Sequence, residues 1–398
     1  MSTIKVDKIT GRTGSAGASS PLQFNGDTLT LGTINSGVSL ASATLTGTTT
    51  LTGDLVPSTP LSNRNMIING AMQVSQRTTS ETSVNSSRYS ACDRWYILNN
   101  AIHFTVSQAT DAPDGFRKSL KCDVTTHNAS MAVSDYVYIA YKIEGQDVQH
   151  LAKGTSSAKA VTLSFWAKTH QAGTYQVNLR DITNNRMISA TYTCTSATWE
   201  KHTVTFAGDT TGAIGDANTE GMRLEWWLGG GTNYTSGTAP SAWETQAATD
   251  KGGSATVNVG DSTNNYFQIT GVQLELGSNA TPFEHRSYAD ELARCQRYYQ
   301  KSNTLAIVPG SDEPKSTIHL NSWGDGNCAG FHFFQRMRDE PTVTLYGVSG
   351  TSGVVGSAGV DKSAVATYIG ETQVSFINVT SGTATTYCKF GWKAEIEL

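Results

Sequence analysis

The stretch Phe267-Gln-Ile-Thr-Gly-Val-Gln-Leu-Glu-Leu276 decides the fold. It runs on through Gly277-Ser-Asn-Ala-Thr-Pro-Phe-Glu-His-Arg286 into Ser287-Tyr-Ala-Asp-Glu-Leu-Ala-Arg-Cys-Gln-Arg-Tyr-Tyr-Gln-Lys301. Phe267, Ile269, Val272, Leu274 and Leu276 mostly alternate with polar residues, the pattern of a half-buried strand. Gly277-Ser-Asn and Pro282 end it. The period then becomes helical. Ser287 stands where an N-cap belongs, with Asp290 three residues on. Ala289, Leu292, Ala293 and Gln296 share one stripe, and basic residues fill the last turn. One strand therefore closes a large β domain, and a short helix predicted over 287–301 leads out of it.

Composition agrees with an all-β chain. Of 398 residues, 38% are apolar and only 16% charged, and 38 are glycine. Both fractions are low for a soluble domain. Thr suits strands, while Gly, Asn and Ser suit turns. Upstream of the closing strand, alternating runs separated by turn residues are expected at 93–98, 103–107, 119–124, 136–143, 161–168, 175–180, 187–192, 199–206 and 222–228. Their number and spacing predict a two-sheet sandwich over 63–286. A helical turn is expected at Asp147-Val-Gln-His-Leu151, and an extended entry strand at Arg64 to Arg77.

Residues 1–62 hold no Trp, Tyr or Cys and a single Phe, Phe24. Alone they cannot bury enough surface to offset their ordering entropy. Thr44-Leu-Thr-Gly47 recurs as Thr50-Leu-Thr-Gly53, and Thr28-Leu-Thr-Leu-Gly32 is a looser relative. The thin apolar seam of Leu29, Leu31, Leu45 and Leu51 can be buried where identical chains wrap round a common axis. The expectation is an intertwined triple-β stalk of a homotrimer; a flexible linker is the plain alternative. After the helix, 302–398 reads as a small C-terminal β domain, a tip. Strands are expected at 317–320, 330–334, 342–346, 366–369, 374–379 and 387–398, with a long loop over 347–359. Leu292 and Tyr299, on the predicted helix, are expected near the three-fold axis.

Several function classes are disfavoured. A net charge of −4 gives no basic field for nucleic acid. No apolar run is long enough for membrane insertion, and the N-terminus lacks a signal-peptide core. The six cysteines, at 92, 122, 194, 295, 328 and 388, form no CxxC pair and are expected to be reduced and mostly buried. The histidines are isolated and no calcium loop, P-loop or dinucleotide fingerprint occurs, so no metal and no cofactor is expected. Asp209, Asp216 and Glu220, and likewise Asp111 and Asp114, are close in sequence, but nothing selects a catalytic pair. The best recognition surface is the loop Gly229-Gly-Gly-Thr-Asn-Tyr-Thr-Ser-Gly-Thr-Ala-Pro-Ser-Ala-Trp243. Asn233, Tyr234 and Trp243 there mix aromatic faces with small polar groups. The bland alternative is that Trp243 plugs the end of the sandwich and Tyr234 packs on a neighbouring subunit.

The 267–301 stretch also resembles a segment of tail-fibre and related appendage proteins of bacteriophages, marine ones (cyanophages) especially. Asn65-Met-Ile-Ile-Asn-Gly-Ala-Met-Gln-Val-Ser-Gln-Arg77, Asp93-Arg-Trp95 and Met337-Arg-Asp-Glu-Pro-Thr-Val-Thr-Leu-Tyr346 extend the resemblance over about residues 65–346. The order Ser164-Phe-Trp-Ala-Lys168, a Trp199 strand, then the closing strand is similar to jelly-roll carbohydrate-binding modules. The resemblance implies a structural, host-contacting, non-enzymatic virion protein assembled in the host cytoplasm. Its partners would be other tail or capsid proteins through the N-terminus, and a host surface glycan or envelope protein. A polysaccharide depolymerase and a capsid decoration fibre without a receptor are the alternatives.

Overall fold

The computed structural model describes residues 62–302, 318–322, 327–357, 359–380 and 387–398, all within one compact unit. The stalk leucines Leu29, Leu31, Leu45 and Leu51 lie outside the described residues. The sandwich strands are β1 (Ser80–Val84), β2 (Arg88–Tyr89), β3 (Trp95–Asn99), β4 (His103–Ala109), β5 (Ser119–Thr126), β6 (Tyr136–Glu144), β7 (Val161–Thr169), β8 (Gly173–Asp181), β9 (Arg186–Cys194), β10 (Glu200–Phe206), β11 (Glu220–Gly230), β12 (Glu244–Thr245) and β13 (Tyr266–Leu276). They form a six-stranded sheet, β1-β4-β5-β13-β7-β10, facing a seven-stranded one, β12-β9-β8-β11-β6-β3-β2. This is the all-β, two-sheet sandwich the alternation predicts, of the jelly-roll type that the resemblance implies. Trp95, Phe104, Tyr141, Phe165, Tyr175, Phe206, Trp226 and Phe267 fill the space between the sheets.

The closing strand β13 sits inside the first sheet, between β5 and β7. Its alternation slips by one residue after Ile269, and the structure gives the cause. Pairing with β7 is irregular between Thr270 and Gln273, and Gly271 takes φ +60°. The bulge resets the phase, so Val272 and Leu274 return to the core with Phe267 and Ile269. The space outside Gly271 is filled: a Cβ there would lie 2.6 Å from Phe116 Cζ.

The expected entry strand over Arg64 to Arg77 is not a strand. The segment runs irregularly beside β13, held by two backbone bonds, Met66 N to Leu274 O and Val272 N to Gly70 O, and by side chains. Asn65 donates from Nδ2 to Val272 O and accepts from Leu274 N. Asn69, at φ 59°, donates to the carbonyls of Val74 and Asp93. Gln76 donates to both Asp93 carboxylate oxygens. These asparagines and Asp93 serve backbone satisfaction, which is why the segment needs polar residues where a strand would want apolar ones.

The linker helix is shorter than expected. It spans Tyr288–Gln296, capped by the Ser287 side chain, which accepts from Asp290 N. Residues Tyr299–Lys301 are already a strand, β14. It begins a C-terminal sheet with β15 (Ile318–Asn321), β16 (Asn327–His332), β17 (Thr342–Tyr346), β18 (Val354–Ser357), β19 (Val360–Ile369), β20 (Gln373–Val379) and β21 (Tyr387–Glu395). The order is β14-β21-β18-β19-β20-β16, with β15 and β17 also on β21. Strand β18 replaces part of the loop expected over 347–359: Val355 is buried, so its Val-rich run is core and not recognition surface. This sheet has its own core around Phe331, Phe390 and Trp392. Cys328 and Cys388 are disulfide-bonded, against the expectation of thiols throughout. Sixty residues apart in sequence, they are brought by folding to a Cα–Cα distance of 6.5 Å, within bridging range. Cys92, Cys122, Cys194 and Cys295 are free and buried.

The last residues are pinned to the sandwich. Arg77 binds Glu395 and Glu397 at 2.8 and 3.0 Å. Arg94 is fully buried, pairs with Glu397, and lies 3.4 Å from the Tyr298 ring centroid. Lys142 and Tyr89 both donate to Leu398 O. Arg297 makes two bonds to the buried Glu144, at 3.0 and 2.9 Å.

Candidate functional site

Strand alternation decides what the seven-stranded sheet turns away from the core. Register then aligns the outward residues into cross-strand rows. One row is Leu98, Tyr138, Trp227 and Gln176. The next is Tyr96, Ala140, Glu225, Asn178 and Ser189. A third is Lys142, Arg223, Arg180 and Met187. On an ordinary half-solvated sheet these positions would be uniformly polar. Here β3 and β6 turn aromatic residues outward as well as inward.

The aromatic side chains form a connected layer. Tyr138 stacks on Trp227 with ring centroids 4.6 Å apart and planes 15° from parallel. Tyr136 meets Tyr138 at 5.9 Å and Tyr234 edge-on at 5.9 Å. Tyr234 meets Trp227 at 5.5 Å. Tyr96 and Leu98 pack against the same cluster, and Tyr89 lies 4.6 Å from Tyr96.

Two covers bound this layer. The 231–256 segment, which includes α1 (Thr232–Thr235), folds back over the β8–β9 side. Gln176 donates to Asp250 O at 2.7 Å, Asn178 to Lys251 O at 2.8 Å, and Ser189 N to Pro240 O at 2.7 Å. On the other side lies the 395–398 tail, at Lys142 and Tyr89. Between them Tyr96, Leu98, Tyr136 and Arg223 remain half-exposed. Beside Trp227 a notch of about 200 Å³ opens, walled by Gly229, Gly230 and Gly252. A side chain at Gly252 would press on the Trp227 ring at 3.2 Å, so the notch depends on glycine.

The floor is electrostatically locked. Glu225 is fully buried and accepts from Arg180 at 2.5 Å and from Trp227 Nε1 at 3.3 Å, with Arg223 at 3.7 Å. Burial alone would raise its carboxyl, but Arg180, Arg223 and Lys251 outweigh that and hold it below the usual range. Arg223 is also bound by Glu220 at 2.5 and 2.8 Å. Burial lowers the Lys142 and Lys251 ammoniums. These pairs hold the neighbouring Trp227 ring, while Tyr96 and Tyr136 stay half-exposed.

Of the sequence-derived candidates, Tyr234 belongs to this layer. Asn233 is exposed beside it on α1. Trp243 does not join them. Its Nε1 donates to Ala207 O at 2.6 Å, Lys153 sits 5.3 Å over its ring, and it packs on the sandwich core. Leu292 is half-buried on α2 (Tyr288–Gln296), whereas Tyr299 is off the helix, buried in β14, with Arg77 4.0 Å over its ring. Of the acids, Asp209 is paired with Arg186 and Lys153, Asp111 with Lys168 and Glu220 with Arg223, whereas Asp114 and Asp216 are exposed. Tyr96, Leu98, Tyr136 and Tyr138 were missed. Their signal is a strand aromatic in both phases, as in Tyr136-Val-Tyr-Ile-Ala-Tyr141 and Glu225-Trp-Trp227.

A wider cleft of about 650 Å³ lies between α2 and the Gln335-Arg336 turn. Its lining holds no Tyr, Trp or Phe among the described residues, and its Arg286, Arg297 and Arg336 are paired to Glu284, Glu144 and Glu371. It is the larger space but the poorer recognition surface.

No family model and no curated protein matches the chain. Solved structures similar to it include a family 4 carbohydrate-binding module (15% identity, TM-score 0.28, 52% of this chain and 97% of that one). Another is a family 61 module in complex with β-1,4-galactotriose (10%, 0.27, 54% and 99%). A third is a xylan-binding family 22 module of Paenibacillus barcinonensis (10%, 0.26, 52% and 95%). At such low identity and TM-score, function has to be read from the residues of the face.

Proposed function

We propose that this is a non-catalytic glycan-binding protein that takes sugar rings on the open strip of the seven-stranded sheet. The observation that carries this is the outward aromatic cluster in which the buried Tyr138 and Trp227 back the half-exposed Tyr96, Tyr136 and Tyr234, beside the 231–256 segment and the 395–398 tail. Flat aromatic faces complement the apolar faces of sugar rings, and the exposed Thr232 and Asn233 of the 231–256 segment supply hydrogen bonds at the rim. The rigid, ion-paired floor means that little is left to order on binding.

We further propose that the protein is a phage tail-fibre component that adsorbs to the host cell surface through a surface glycan or envelope protein. It would act as a homotrimer joined to other virion proteins through its N-terminal segment. This part rests on the motif resemblance of residues 65–346 and on the meagre composition of 1–62. Three weak sites on one fibre would raise avidity by orders of magnitude.

The test is binding of the purified full chain to immobilised bacterial surface polysaccharides, with a reducing-end assay on the same glycans. Retention without new reducing ends supports the proposal. Release of reducing ends favours the depolymerase, and binding to none of a broad polysaccharide set sinks the glycan reading. Light scattering giving a monomer mass removes the trimer, and labelling on intact virions separates a tail fibre from a capsid fibre.

A further inference from the structure

At the edge of the sandwich, remote from the aromatic layer in the strand order, three donor side chains converge. Cys194 ends β9 in one sheet, while Glu200 and His202 lie on β10 at the edge of the other. Their ligand atoms all lie within 4.8 Å of one another. Cys194 Sγ is 3.5 Å from His202 Nε2. A tetrahedral ion with metal–sulfur and metal–nitrogen distances of about 2.3 and 2.1 Å has an S···N edge of about 3.6 Å. The pair is thus spaced as two ligands of one zinc-class ion.

The surroundings fit as well. Glu200 accepts at 2.8 Å from both the backbone N and the hydroxyl of Thr195, which fixes the carboxylate as ligating carboxylates are usually fixed. The His202 ring is held between Phe165 and Tyr192, with centroids 5.3 and 4.9 Å away. Tyr192 is itself buried, and its hydroxyl has no partner among the described residues. Cys194 is buried while Glu200 and His202 are half-exposed, so an ion has a path from solvent to the sulfur.

We infer that Cys194, Glu200 and His202 form a site for a borderline-soft divalent cation of the zinc class, which clamps the two sheets together where the chain crosses between them. Sulfur and imidazole donors select such an ion over calcium or magnesium, and water completes the tetrahedron. The site stands independently of the glycan reading.

The test uses the full chain, stripped with a chelator and titrated with Co²⁺, whose thiolate complexes absorb in the near ultraviolet and whose tetrahedral complexes absorb in the visible. One ion per chain is expected, with a sulfur-to-cobalt band and displacement by Zn²⁺. Cys194→Ser should abolish that band, and His202→Gln should weaken binding about tenfold or more. Zn²⁺ should also raise the Tm of the wild-type chain. Absence of a thiolate band in the wild-type titration overturns the inference, whatever the variants do. A band that persists in Cys194→Ser also overturns it, because another cysteine is then the ligand. If the contact is only a hydrogen bond between thiol and imidazole, Zn²⁺ leaves Tm unchanged.

Discussion

Replacing Glu225 with alanine tests whether the floor of the aromatic layer is locked as described. The carboxylate is fully buried and is the shared partner of Arg180 at 2.5 Å and Trp227 Nε1 at 3.3 Å, with Arg223 at 3.7 Å. Removing one partner of a buried pair leaves an uncompensated charge and costs about 3–5 kcal/mol. The side chains of Arg180 and Arg223 are 11% and 16% exposed, which lets water relieve part of that charge. The expected cost is therefore at the low end, about 3 kcal/mol. With a urea m-value of about 3 kcal/mol/M, the unfolding midpoint falls by about 1 M. Removing both charges, in Arg180→Met with Glu225→Leu, should recover most of the loss. The pH dependence follows from the same contacts. An unfolded glutamate titrates near ~4.3, and the folded carboxyl is held lower. Its contribution is complete above the unfolded value and is lost as pH falls through the folded one. Wild type should lose stability below about pH 4 more steeply than Glu225→Gln. A midpoint shift of less than about 0.2 M for the alanine variant would refute the reasoning, because the carboxylate would then be solvated and the rings above it unanchored.

Three further outcomes are expected. Gly271→Ala should cost about 1–3 kcal/mol in urea unfolding, since φ is +60° and the new methyl meets Phe116; an unchanged midpoint would mean that β13 has no bulge. Cys328→Ser, or reduction of the wild type, should destabilise the C-terminal sheet by about 2–4 kcal/mol, the usual range for a bridge closing a long loop; limited proteolysis with no change in cleavage there would contradict it. Tyr136→Ala should weaken glycan binding by about 2 kcal/mol, roughly thirty-fold, with unfolding little changed; equal affinity would place the ligand elsewhere.

The sandwich was legible because its strands alternate and its turns are rich in Gly, Asn and Ser. Where sequence reading failed, a non-local force decided the outcome. The 64–77 segment looked extended, but its Asn65 binds the backbone of β13, about two hundred residues away. Tyr299 follows the helical period on paper, yet pairing with Glu395 draws it into a strand. The Cys328–Cys388 bridge joins residues that only the fold brings together. In the proposed site, Tyr234 stood out in the sequence because it sits in a loop that mixes aromatic and small polar residues. Tyr96, Tyr136 and Tyr138 did not, because an aromatic in a strand reads as core until register shows which face it takes. Trp243 takes the alternative left open for it, folding back against the sandwich it leaves.

Hydroxyl-radical footprinting of the full chain, with and without a saturating bound oligosaccharide, tests the glycan reading most directly. Protection concentrated on Tyr96, Tyr136 and Tyr234, with the exposed Tyr368 of the C-terminal sheet oxidised equally in both samples, is the predicted result. Protection at Trp243 or Tyr368 that leaves the outward tyrosines of β3 and β6 unchanged would contradict it.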